Sequence, residues 1–288
     1  MFSMTKLLKR STLVPVTAIA AALMLAACGS GGGSSSSTNS DSPTMNTATP
    51  DGYWLGAIGD ATSANVLGGL ILKDQRFWLI SSTNRVTDSG ASTIKGMFTG
   101  TMGSSYNSQT KKYEFSTASS TYFQNPRDPD LQQGATPGKA DLPLKGGFVA
   151  ASSMDGSAYS GTSEIARISL PKYDATLYTT VPSLTTIQGN WTANRSDTPA
   201  VFFSINSGSF TNAQVLPNCF ADGAFTVVSG ANAYNVTMTF PAGCAVINQA
   251  PGAAYSGIAL PESVSASRLT LALVRTDQSQ ALFLLLDR

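Results

Sequence analysis

No window of useful length in this chain repeats its apolar residues every 3.6 positions. Short runs rich in β-branched and aromatic residues recur instead between clusters of Gly, Asn, Asp and Ser. Such a chain can bury its apolar side chains only as strands, so the expected fold class is all-β. The pattern predicts strands over 53–58, 66–72, 76–81, 112–117, 147–152 and 166–170. A second series is predicted over 187–193, 200–206, 224–228, 234–240, 268–275 and 281–287. Turn chemistry between them predicts hairpins at Lys73-Asp74-Gln75-Arg76, Asn206-Ser207-Gly208, Asp222-Gly223 and 276–280. Strands joined by short polar turns pair antiparallel, and closure into a barrel or a sandwich covers their edges.

The two series suggest two domains, 51–180 and 184–288, with the boundary near 180–184. The three-proline segment 125–138 reads as a long loop within the first. Each domain opens on the same short motif, Gly52-Tyr53-Trp54 and Gly189-Asn190-Trp191. A duplication and two unrelated β-units both remain open, because similarity beyond the motif is weak.

The first fifty residues are of a different kind. Residues 1–10 carry three cations and no carboxylate, and residues 12–25 are an apolar run broken only by Pro15 and Thr17. That is the pattern of a signal peptide, shorter than the roughly 20 apolar residues of a spanning helix. The run ends in Leu25-Ala26-Ala27-Cys28, followed by Gly29. This string resembles the bacterial lipobox, in which small residues admit the peptidase before a diacylglyceryl cysteine. The resemblance implies cleavage after residue 27, lipidation of Cys28 and, with Gly rather than Asp at position 29, delivery to the outer membrane, on its periplasmic face or the cell surface. More than one acyl chain makes such anchoring stable. Residues 29–50 are mostly Gly, Ser, Thr and Asn, with almost no apolar residue, and cannot bury enough surface to order themselves. They form a tether of 22 residues with a root-mean-square reach of about 25 Å.

Removing residues 1–27 takes away Lys6, Lys9 and Arg10 and no acid, so 18 basic residues become 15 against 17 acidic ones. No basic field remains to attract nucleic acid. Besides Cys28 the chain has two cysteines, Cys219 and Cys244, and in an oxidising compartment a disulfide is expected. Its 24 intervening residues would make it worth roughly 3 kcal/mol. A two-thiolate metal site is the alternative, without His or further Cys to complete it.

Gly-x-Trp on a first strand resembles the lipocalin and avidin barrels, in which the Trp plugs one barrel end and packs on an Arg from the final strands. That implies structural or cavity-lining roles for Trp54 and Trp191, with Arg275 or Arg288 as partner; an ordinary core Trp is the other reading. Residues 184–288 also resemble META-type envelope domains through Cys219-Phe220-Ala221-Asp222-Gly223 and the apolar run 282–286, although the usual Gly-Cys-Asn signature is missing. Taken whole, the lipobox, tether and paired Gly-x-Trp units resemble proteobacterial outer-membrane lipoproteins with two β-domains. That resemblance implies address and fold, and supplies no activity.

The chain contains no His, which removes Ser-His-Asp and Cys-His nucleophile activation and histidine metal ligation. Ser92-Thr93-Ile94-Lys95 matches Ser-x-x-Lys without its companion motifs. Residues 134–139 fall one residue short of a phosphate loop. Asp128, Asp130 and Asp141 read as a solvated loop rather than a calcium site. No catalytic residue, metal site or cofactor is expected. The expected function is a non-enzymatic binding module taking a protein or a small apolar ligand, with an envelope structural or assembly factor on the periplasmic face as the alternative.

Overall fold

The computed structural model describes residues 48–59, 64–83, 94–126, 138–195, 198–216, 219–241 and 253–288. The predicted signal segment, Cys28, most of the tether, Ser92, Asp128, Asp130 and Cys244 lie outside these residues, as does the side chain of Cys219.

Two all-antiparallel sheets follow one another along the chain. The first holds β1 (Gly52–Gly59), β2 (Asn65–Ile71), β3 (Arg76–Ser82), β4 (Ile94–Asn107), β5 (Lys112–Gln124), β6 (Lys139–Asp141), β7 (Leu144–Val149), β8 (Ser153–Ser160) and β9 (Ser163–Tyr173). Neighbours in sequence pair in order. β5 accepts β7 along its first part and β6 along its last, and the β4–β5 and β1–β9 ladders close the ring. Two short helices follow, α1 (Ala175–Thr179) and α2 (Leu184–Ile187), capped by the side chains of Asp174 and Ser183. The second sheet is a closed eight-stranded barrel, β10 (Gly189–Arg195), β11 (Thr198–Ile205), β12 (Ser209–Leu216), β13 (Cys219–Val227), β14 (Tyr234–Thr239), β15 (Ala254–Pro261), β16 (Arg268–Arg275) and β17 (Ala281–Asp287). The fold is therefore all-β and barrel-like in both halves.

The second barrel is filled by side chains, as expected at eight strands. Phe203, Phe210, Phe225, Tyr234 and the inward leucines of β16 and β17 pack around Trp191. Inside the first sheet, Trp54, Phe77, Leu79, Phe98, Phe115 and Leu144 do the same.

Several strands are apolar on both faces. In β16, Leu269, Leu271 and Leu273 enter the barrel core, while Ala272 and Val274 face outward into a second cluster. In β3, Phe77 and Leu79 point inward, while Trp78 and Ile80 join that same outer cluster. The cluster joins the outer faces of β1–β4 to those of β15–β17, so the two barrels are packed on each other. The loop between β13 and β14 adds polar ties: Tyr53 donates its hydroxyl to Asn232 O at 3.1 Å and Asn232 N donates to Tyr178 O at 3.2 Å.

The turns at 73–76, 206–208 and 276–280 are where the sequence places them, with Gln75, Ser207, Gly208 and Gln278 at positive φ. Asp222-Gly223 is not a turn; both residues lie inside β13 and pair with Thr239 and Met238. A Cβ on Gly223 would come within 2.1 Å of Thr237 O and 2.3 Å of the Phe210 ring, so this glycine serves close packing rather than chain reversal. The same confusion hid β4 and β15, where Gly96 and Gly257 lie against neighbouring backbone carbonyls. β6, β8 and β12 also lie outside the predicted runs. The run predicted at 147–152 begins earlier, as β7, and turns at Ala151, whose φ is positive. Ile187 ends α2 instead of opening a strand.

Two adjacent glycines of β2 give a test of this packing. A Cβ on Gly69 would stand 1.9 Å from Trp78 O, whereas one on Gly68 meets only the tip of Leu55 at 3.1 Å and a carbonyl at 3.6 Å. Gly69→Ala should therefore destabilise by about 1–3 kcal/mol, and Gly68→Ala should stay within about 0.5 kcal/mol of the parent. Urea midpoints for the pair would check this, and equal losses would contradict the register.

Candidate functional site

The two Gly-x-Trp motifs build the same local device. Trp54 Nε1 donates to Pro50 O and Trp191 Nε1 to Ile187 O, each four residues back and each at 2.7 Å. Both rings are almost fully buried. The glycine two residues earlier is at positive φ in both cases, +150° for Gly52 and +124° for Gly189. Each motif is met by a residue at the end of its barrel's last strand or just beyond it. Tyr173 packs edge-on against Trp54 with ring centroids 5.2 Å apart, and the Arg288 guanidinium lies 5.7 Å from the Trp191 ring centre. A Cβ on Gly52 would fall 2.0 Å from the Tyr173 ring. Arg288, anchored by donating to Thr186 O at 2.9 Å, is thus the partner of Trp191. Arg275 instead pairs with Asp277, and Trp54 has a tyrosine where an arginine was expected.

Trp191 is a core residue. Trp54 belongs to the core of its own barrel and also touches a cavity among the described residues, a cleft of about 560 Å³ where the two barrels meet. From the first barrel, Tyr53, Leu55, Val66 and Ile80 give this cleft an apolar wall, and Gly68 leaves it open space. The second barrel contributes Leu260, Pro261, Glu262 and Thr270. Lys172 and Asp174 are exposed at its edge, and the Oδ1 of Asp174 is committed to capping α1 through Leu177 N at 2.7 Å.

Glu262 is the chemically unusual member. Thr270 Oγ1 donates to its Oε1 at 2.6 Å, while its Oε2 is buried with no hydrogen-bond partner among the described residues. Burial pushes its carboxyl up to about 7, against the lowering effects of the Thr270 hydroxyl and of Arg268, with Asp287 adding to the rise. Arg268, whose Nε donates to Asp287 Oδ1, lowers the carboxyl without offsetting its burial. Tyr53, across the cleft, has its phenol raised first by burial and then by the charge of Glu262.

Sequence reasoning singled out neither the cleft nor Glu262. The signal was the apolar character of 269–274, broken only by Thr270, and of 281–286, which implies burial on both faces and hence a second packed layer. The remaining acidic and basic candidates lie apart from the cleft. Asp141, on β6, accepts from Thr121 Oγ1 at 3.4 Å, and Lys95 is buried in β4. Among the described residues, no group of three or more Cys, Asp or Glu could hold a metal ion, and no helix is long and apolar enough to cross a membrane. No protein-family model and no curated protein sequence matches this chain.

Proposed function

We propose that this protein is an outer-membrane lipoprotein, held through lipid on Cys28, whose two packed barrels form a non-enzymatic binding module with its ligand site in the cleft between them. The observation that carries the reading is the cleft itself. Both barrel interiors are occupied by their own side chains, so the space for a ligand lies where the outer walls meet. Its size and its apolar lining with a few polar groups are those of a small-molecule site. The chemistry favours binding over catalysis, since the chain has no His and the one strongly perturbed acid in the cleft, Glu262, is held by a hydroxyl rather than by a second carboxylate.

Gly68→Phe places a ring in the cleft from a backbone position that tolerates a side chain. In a thermal-shift screen of small molecules, compounds that use the cleft should stabilise the parent protein and leave Gly68→Phe unmoved. A screen without hits on the parent, or hits acting equally on both proteins, would reject the reading. The anchor has its own check. Cys28→Ala should move the protein out of the detergent phase on Triton X-114 partitioning, and partitioning equal to the parent would refute lipid attachment at this residue.

A further inference from the structure

Resting on the cleft as the ligand site, we propose that its ligand class is a small organic cation, an amine whose apolar body lies against Tyr53, Leu55, Val66, Ile80 and Leu260 and whose ammonium group binds the carboxylate of Glu262. Three observations converge on this class. The wall is mostly apolar, from Leu55, Val66 and Ile80 of the first barrel and Leu260 and Pro261 of the second, which favours a hydrocarbon or aromatic body over a sugar or a phosphate. The carboxylate has one oxygen satisfied by Thr270 and one without a partner, and an N–H donor is the group that completes it. The protein's own nearby cation, Arg268, pairs with Asp287 and makes no hydrogen bond to the free oxygen, which leaves that oxygen to a donor on the ligand.

The charged and titratable groups around this carboxyl come from four elements. Tyr53 on β1 is a phenol that stays neutral through the working range. Arg268 on β16 and Asp287 on β17 form an ion pair. Lys172 and Asp174, at the end of β9 and just beyond it, stand exposed at the edge with opposite charges. None of these donates a hydrogen bond to the free oxygen. A carboxyl raised to about 7 also makes binding pH-dependent. Above that pH the ionised form attracts the ammonium group; below it the proton occupies the position that the amine would take.

Three probes of one shape separate the contributions: 2-phenylethylammonium, 2-phenylethanol and phenylacetate, titrated into the full chain and followed by NMR on the Val66, Ile80 and Leu260 methyl groups at pH 6 and pH 8. The ammonium compound should bind about tenfold or more tightly than the alcohol at pH 8, with the advantage shrinking at pH 6 and phenylacetate weakest. Glu262→Gln should remove the ammonium preference while the alcohol still binds. Equal affinities for all three, a preference for phenylacetate, or an ammonium preference that survives in Glu262→Gln would each overturn the cation assignment while leaving the cleft as a binding site. If none of the three probes shifts those methyl groups, the cation assignment and the cleft reading both fall.

Discussion

Trp191→Ala is expected to lower stability by about 3–5 kcal/mol, the usual cost of emptying a buried Trp site. The ring is fully buried in the second barrel, its Nε1 satisfies Ile187 O, and its face carries the Arg288 guanidinium. Alanine leaves a cavity, an unpaired carbonyl and a displaced cation at once. The interface makes the outcome more informative. The chain's other two tryptophans, Trp54 and Trp78, sit in the first barrel, and Trp78 packs in the cluster shared with β15–β17. Fluorescence of the variant therefore reports the first barrel alone. Since loss of the second barrel strips the apolar cover from β1–β4, the urea midpoint read by these tryptophans should fall as well. An unchanged fluorescence transition beside an earlier loss of the second barrel's circular dichroism would show two independently stable domains.

Glu262→Gln should have the opposite sign. In the unfolded chain this carboxyl titrates near its ordinary value of 4.5, and in the folded protein near 7. The folded state thus holds the proton more tightly. Its stability is complete below about pH 4.5, declines as pH rises toward 7 and stays reduced above it. A difference of this size corresponds to about 3 kcal/mol as an upper figure. Glutamine has the same shape without the charge, so it should match the parent near pH 4.5 and exceed it by up to that amount at pH 8. Urea unfolding from pH 4 to 8.5 would display the gap. Parallel curves for the two proteins would mean that the carboxyl is well solvated. A group that costs stability in its working form is typical of a binding site, where the ligand offsets the cost.

Much of the architecture was legible because strand chemistry is local. The runs at 53–58, 76–81, 268–275 and 281–287 alternate or continue apolar residues between turns whose φ values the sequence encodes, and each is a strand. Strands such as β4 were hidden because their glycines answer to neighbours distant in sequence: Gly96 is small for the sake of Phe123 O and the Tyr122 ring. The helices α1 and α2 span about one turn each, too short to show a period. The Trp motifs were legible, together with Arg288 as one of two candidate partners. Glu262 was not, because its perturbation comes from two barrels meeting, and no string of residues around Leu260-Pro261-Glu262 records what lies across the cleft.

The up-and-down order of both sheets also has a kinetic consequence. Almost every ladder joins strands adjacent in the chain, and such hairpins form on the order of microseconds. Each ring is completed by one ladder between its distant ends, pairing Ile58 with Ile168 in the first barrel and Thr192 with Asp287 in the second. That seam must bear the loop-closure entropy that the hairpins avoid, and it is where Tyr173 meets Trp54 and Arg288 meets Trp191. The two plugs thus act as latches on the slowest ladder of each ring, set after the meander has formed, so that weakening either one speeds opening far more than it slows assembly.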